Sequence, residues 1–235
     1  MKKEYRASLI INIVLIILFI ISYVIAIIKN VDGFEYYSQD VSFLTALASV
    51  LYVSFLLIKK GKEQIPLFVS ILRYIGTCSL IITFLVVVCI LAPTYEGGFI
   101  EGLKLYLLQP SSIITNLICP VLSTISFIFF EGDRRLNKKK TIWLAVIPTV
   151  VYGTVFVSLN VFRIIEGPYP FLQVYKQEWY LTLMGIVLIV VANYLVARYV
   201  LLFNQMHAPR IKRNKEVSEW KKTILRWLML FYQTN

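Results

Sequence analysis

Residues 10–28 read IINIVLIILFIISYVIAII, nineteen positions without a charge. A hydrocarbon core about 30 Å thick needs roughly 20 apolar residues of helix, at about 1.5 Å each, so this stretch is long enough to cross a bilayer once. It is too long for a secretory leader and lacks a small-x-small cleavage site, which predicts an uncleaved helix. Five similar stretches follow, at 43–58, 68–92, 113–130, 142–162 and 180–203. The second and fourth are short, predicting that their outer ends continue into the flanking residues. With 58% apolar residues and a mean hydropathy of +0.73, the composition excludes an ordinary soluble domain. The fold class that follows is all-α, a polytopic bundle of six transmembrane helices.

Charge orients the bundle. Lys and Arg collect in the cytosolic loops of membrane proteins. Here Lys2, Lys3 and Arg6 precede the first span, and Lys59, Lys60 and Lys62 follow the second. Arg134, Arg135 and Lys138 to Lys140 follow the fourth, and seven basic residues from Arg210 to Arg226 follow the sixth. The alternate connections hold only Lys29, Lys104, Arg163 and Lys176, among a majority of acids. An even number of crossings with both termini cytosolic fits this pattern. Arg73 and Arg198 fall inside spans near their cytosolic ends, where a long side chain is expected to snorkel to the headgroups.

The net charge of +11 therefore points to anionic lipid headgroups at the cytosolic face and not to nucleic acid. Cys78, Cys89 and Cys119 lie inside spans without metal-ligand spacing and read as packing residues. No GxGxxG, phosphate loop, HExxH or CxxC occurs, nor an inverted repeat of the transporter kind, so no cofactor or metal is expected. The chain divides into a transmembrane domain, 1–203, and a basic tail, 204–235. In the tail Val217, Trp220, Ile224, Trp227, Leu228 and Phe231 share one helical face, opposite Lys215, Glu219, Lys222 and Arg226. That is the pattern of an amphipathic interfacial helix, with partner-helix binding as the alternative. Pro209 separates it from the sixth span, and His207 belongs to this hinge.

Polar side chains recur at similar depth in the outer half. Counted from the span boundaries, Thr45 and Ser49 of the second span, Thr115 and Asn116 of the fourth, and Ser158 and Asn160 of the fifth share one layer. Such groups either glue helices together or line an outward-facing polar pocket for a lipid headgroup or ester. On the same side, Tyr169 and Phe171 lie in a Gly-Pro-Tyr-Pro-Phe-Leu segment, 167–172, that reads as a lid at the interface or as an aromatic belt. Gly97 and Gly98 precede a stretch, 99–108, with the length of a short interfacial helix.

At these residues the chain resembles the androgen-induced membrane hydrolase family and its bacterial six-span relatives. The likeness is carried by Phe43-Leu44-Thr45, Leu91-Ala92-Pro93, Asn116-Leu117-Ile118-Cys119-Pro120 with Phe127 to Glu131 downstream, and Tyr169-Pro170-Phe171-Leu172. The resemblance implies hydrolysis of fatty-acid esters of hydroxy fatty acids by an intramembrane threonine and a histidine. The threonine falls on Thr45. The histidine position falls on Asn116 or Thr115, and neither residue is a base. A threonine hydroxyl needs a nearby proton acceptor, and general-base assistance is worth about 10²–10⁴-fold. Asn116 retains the ability to donate to an ester carbonyl or oxyanion.

The expectation is an integral membrane protein of a bacterial plasma membrane whose outward pocket binds acyl lipid, the family's hydrolase chemistry lost or altered. The alternative is an active threonine esterase that uses Thr45 with a substitute base such as Asp40 or Glu166. A small-solute transporter ranks third, because no Asp or Glu lies in a predicted span core.

Overall fold

The computed structural model describes residues 3–29, 36–58, 65–136 and 139–207; the amphipathic tail expected over 217–231 lies outside them. Among the described residues the chain is all helix and turn. Seven helices are α1 (Lys3–Ile28), α2 (Tyr37–Ile58), α3 (Leu67–Leu91), α4 (Phe99–Leu107), α5 (Pro110–Phe130), α6 (Lys139–Val161) and α7 (Trp179–His207). All but α4 are long and apolar enough to span a membrane. The chain is thus a multi-pass membrane protein.

The two spans that read as short are extended at their outer ends. Helix α2 begins at Tyr37, six residues before the apolar run, and α5 begins at Pro110. Proline suits that first helical position, since its fixed φ matches the helix and its missing N–H has no partner there anyway. Helix α4 matches the short helix expected over 99–108. Gly98, at φ 90°, supplies the left-handed turn into it.

Helix α3 is the centre of the bundle and packs against α2, α5, α6 and α7. Over half of its spanning window is buried, against 11% for α6. The outer faces of α1, α6 and α7 instead expose Ile17, Ile20, Ile147, Val151, Leu188 and Val191, as lipid-facing surfaces require. Two glycines set the closest approaches. A Cβ on Gly76 would stand 2.6 Å from Thr45 Oγ1, and one on Gly102 would stand 2.6 Å from the Ala92 carbonyl oxygen. Helix α2 thereby lies tight on α3, and α4 is folded onto α3's end.

The spans are not uniform α-helix. π-Helical turns occur at Val87–Leu91, Ile114–Ile118 and Ser126–Phe130. Pro120 explains the second, because it offers no N–H to the Asn116 carbonyl and its ring crowds that turn. Near the first, the Ala92 amide bonds Val87 O, five residues back, just ahead of Pro93.

One expectation fails here. Arg73 does not snorkel; it is fully buried, as are Asn12, Ser49 and Ser126. Its Nε donates to Glu131 Oε2 and its Nη2 to Glu131 Oε1, both at 2.9 Å. Asn12 Nδ2 and Ser126 Oγ also donate to Oε1, and Arg73 Nη1 donates to Ser49 Oγ. The physical reason is position. Snorkelling needs a path along a lipid-facing surface, and α3 is the innermost helix. Glu131, one residue past α5, turns its carboxylate into the bundle. A buried carboxylate therefore sits against the innermost helix, one residue past the end of α5.

The Glu131 turn also receives α7, through Asn204 Nδ2 to the Phe127 and Glu131 carbonyls. The first half of α1 and the end of α7 consequently meet the turn 131–136 at one end, the basic end, where Arg135 also donates to the Ile65 carbonyl.

Candidate functional site

The opposite end holds a cavity of about 660 Å³. That is within the roughly 300–1,000 Å³ typical of small-molecule sites. Its walls come from α2, α3, α4, α5, α6 and α7, and its roof from the loop between α6 and α7. Depth follows from helix rise. From Ser158 at the mouth to Thr149 at the floor is nine residues of α6, about 14 Å. The cavity therefore spans about half of a hydrocarbon core roughly 30 Å thick, the depth of one leaflet.

The chemistry is graded along that depth. Ile82, Val86, Val87, Leu91, Val157, Ile186 and Val190 form apolar wall. At the mouth are Lys29, Tyr36, Ser38, Gln39, Gln109, Ser111 and Ser112. The floor is a short polar relay in which the Tyr37 and Thr149 hydroxyls lie 2.7 Å apart and Asn193 Nδ2 donates to Thr149 Oγ1 at 2.6 Å. On α6, Val150 and Thr154 both line the cavity and are exposed, so the cavity opens along that helix. Gly153 lies between them, and a Cβ placed there meets nothing within 4 Å.

The roof is aromatic and braced. Tyr169 and Phe171 stack at 5.3 Å between centroids, with Tyr36 edge-on to Tyr169 at 6.2 Å. Burial pushes the Tyr169 phenol well above its ordinary range, partly offset by hydrogen bonds from the Tyr37 and Ser38 backbone. Asn160 ties the loop down, its Nδ2 donating to the Ile165 and Glu166 carbonyls and its Oδ1 accepting from the Val174 amide. Gly167 at φ 81° makes the turn before Pro168. Lys176 donates to Glu166 at 2.7 Å, a bond that holds the exposed Glu166 carboxyl below its usual range.

The residues expected in one layer separate into two groups. Thr115, Asn116, Ser158, Tyr169 and Phe171 line the cavity. Thr45, Ser49 and Asn160 do not. For Ser49 the reason is depth, since the early start of α2 puts it about 18 Å down the helix from Tyr37, and for Thr45, about 12 Å down, it is facing, toward α3. Thr45 is buried against Gly76 and donates to the Val41 carbonyl at 2.7 Å. Ser49 has passed into the basic half and bonds Arg73.

Asn116 lies in the π-helical turn, 7% exposed, with Nδ2 donating to the Tyr106 carbonyl at 2.9 Å and Oδ1 accepting from Thr115 Oγ1 at 3.3 Å. No His, Cys, Asp or Glu is among the described cavity-lining residues. His207 is at the basic end, edge-on to Phe129 at 4.8 Å. Sequence reasoning overlooked Lys29, Gln39 and the Tyr37–Thr149–Asn193 floor. Nothing local in the sequence marks these residues as neighbours, because which helix faces meet depends on the packing of α2, α6 and α7.

No protein-family model, curated protein or solved structure matches this chain.

Proposed function

We propose that this membrane protein binds an acyl lipid in the cavity, taken from the leaflet opposite the basic end, and does not hydrolyse it. The observation that carries the reading is the cavity's form, one leaflet deep, apolar along its length, polar at its mouth and open beside α6. A chain entering it exchanges hydrocarbon for protein wall while its headgroup remains among hydroxyls and amides. Binding without turnover is favoured because no His, Cys, Asp or Glu lines the cavity among the described residues and Thr45 donates its hydroxyl to its own helix.

On this reading the resemblance to the androgen-induced membrane hydrolases is one of scaffold, with the catalytic pair dismantled. The basic end faces the cytosol of a bacterial plasma membrane and contacts anionic headgroups there.

Gly153→Leu tests the cavity directly. Its side chain projects into open space, so the bundle folds while the volume fills. Purified wild type retains or takes up a fluorescent fatty-acyl probe, and the variant does not. Equal binding by both overturns the reading. Thr45-dependent cleavage of an acyl-ester substrate by wild type overturns the claim that chemistry is lost. Cysteine labelling that places the two termini on opposite faces overturns the orientation.

A further inference from the structure

We propose that Lys29 makes the cavity selective for lipids with an anionic oxygen headgroup, carboxylate or phosphate, over zwitterionic and neutral ones. The inference deepens the lipid-binding reading and rests on it. Lys29 is the residue immediately after α1, its amide bonding the Ile25 carbonyl, and its side chain forms part of the cavity wall. It makes no ion pair or side-chain hydrogen bond among the described residues. Two acids at this end are engaged with other cations, and Asp40, beside Gln39, is outside the cavity wall. Glu101 pairs with Lys104 and Glu166 with Lys176, each at 2.7 Å. Lys29 is the one Lys or Arg in the described wall, which holds no Asp or Glu.

Lys29 is backed by a second polar group without a partner. Gln39 also lines the cavity, and its Oε1 is buried with no hydrogen bond. A carboxamide can accept from a headgroup hydroxyl, or present its NH2 to an anion when turned. The Ser112 hydroxyl at the same wall makes no hydrogen bond among the described residues either. A carboxylate or phosphate supplies acceptors for the ammonium, the hydroxyl and the amide together. A choline headgroup would instead set a quaternary cation beside Lys29. Lys29 is itself exposed, so the choice rests on its charge at the cavity's mouth, where a charge-assisted hydrogen bond is stronger than a neutral one.

The test uses the full chain in neutral nanodiscs carrying a bound fluorescent acyl probe. Competitors matched in chain length are oleate, dioleoyl phosphatidate, dioleoyl phosphatidylcholine and monoolein. Wild type is expected to prefer at least one anionic competitor over the others by about tenfold, the size of one charge-assisted bond. Whichever of oleate and phosphatidate shows the larger preference identifies the headgroup. Lys29→Gln should abolish the preference while leaving monoolein unchanged, and Lys29→Arg should keep it.

Equal affinities for anionic and neutral competitors in wild type would overturn the proposal and leave lipid binding standing. So would a Lys29→Gln variant that keeps the preference, or one that loses all competitors equally. Probe binding that survives Gly153→Leu sinks the cavity reading itself, a separate failure.

Discussion

Removing one member of the Arg73–Glu131 pair should be far worse than removing both. At 2.9 Å and an effective dielectric near 20, the two charges attract by roughly 6 kcal/mol, most of which offsets their desolvation. Truncating one partner of such a pair typically costs about 3–5 kcal/mol, because the other charge stays buried. The structure ranks the two singles. After Arg73→Met, the Glu131 carboxylate still accepts from Asn12 and Ser126, so the loss should fall near about 3 kcal/mol. After Glu131→Leu, the guanidinium retains only Ser49, and the loss should approach about 5 kcal/mol. The double variant strands no charge, and Asn12 keeps the Ser8 carbonyl and Ser126 Oγ as acceptors, so it should lie within about 2 kcal/mol of wild type, against about 8 for additive singles. Equilibrium unfolding in mixed detergent micelles, followed by tryptophan fluorescence, measures all four states. Additive losses, or a Glu131→Leu variant no worse than Arg73→Met, would refute the argument that this pair neutralises itself inside the bundle.

Four further perturbations probe the packing that shapes the cavity. Gly76→Ala should destabilise by about 1–3 kcal/mol through its contact with Thr45 Oγ1, and Thr45→Ala added to it should restore part of that loss in the same unfolding assay. Gly102→Ala should also destabilise, by about 1–3 kcal/mol, because the obstructing atoms belong to the Ala92 backbone and cannot rotate away. Gly153→Ala, entering open space, should instead stabilise by about 0.4–1 kcal/mol. Asn160→Ala removes three hydrogen bonds to the roof loop, about 1 kcal/mol each, and should raise hydrogen exchange over 162–178 while leaving the basic end protected. Unchanged exchange there would show that the aromatic stack alone holds the roof.

The architecture was legible because length and apolarity are properties of a segment, and the bilayer reads segments. Residues 10–28 need no partner to declare a crossing. The extensions of α2 and α5 were legible as a shortfall in length. Depth was harder. Thr45 and Ser49 were counted from Phe43, yet Asp40 and Gln39 already belong to α2, and six extra residues moved both side chains about 9 Å further down. Facing was harder still. Arg73 looks like any basic residue near a span end until α3 proves central, and nothing local marks Glu131 as its partner across 58 positions. The π turns before Pro93 and Pro120 rotate the following residues, so a strict 3.6-residue period misassigns what reaches the cavity.

The two halves of the bundle solve opposite problems with the same helix. At the basic end α3 presents Arg73 to the Glu131 carboxylate and the Ser49 hydroxyl, and Asn12 and Ser126 donate to the same carboxylate, so charge is satisfied internally and the helices are held close. Toward the other end the same helix presents Ile82, Thr83, Val86 and Val87 to a space that no side chain fills. Close packing is the default of protein interiors, and a void of this size sacrifices contacts along its whole lining. A bundle can sustain that loss when its opposite half is fastened by a buried ion pair and its roof by Asn160. The hydrolase resemblance fits into this division. Thr45 sits on the closely packed side of the boundary, against Gly76, whereas Asn116 sits on the open side, in the cavity wall. A nucleophile and its acid–base partner must face one another across a shared space. In this bundle Asn116 faces the cavity and Thr45 does not, so the two positions that the resemblance pairs lie on opposite sides of that boundary.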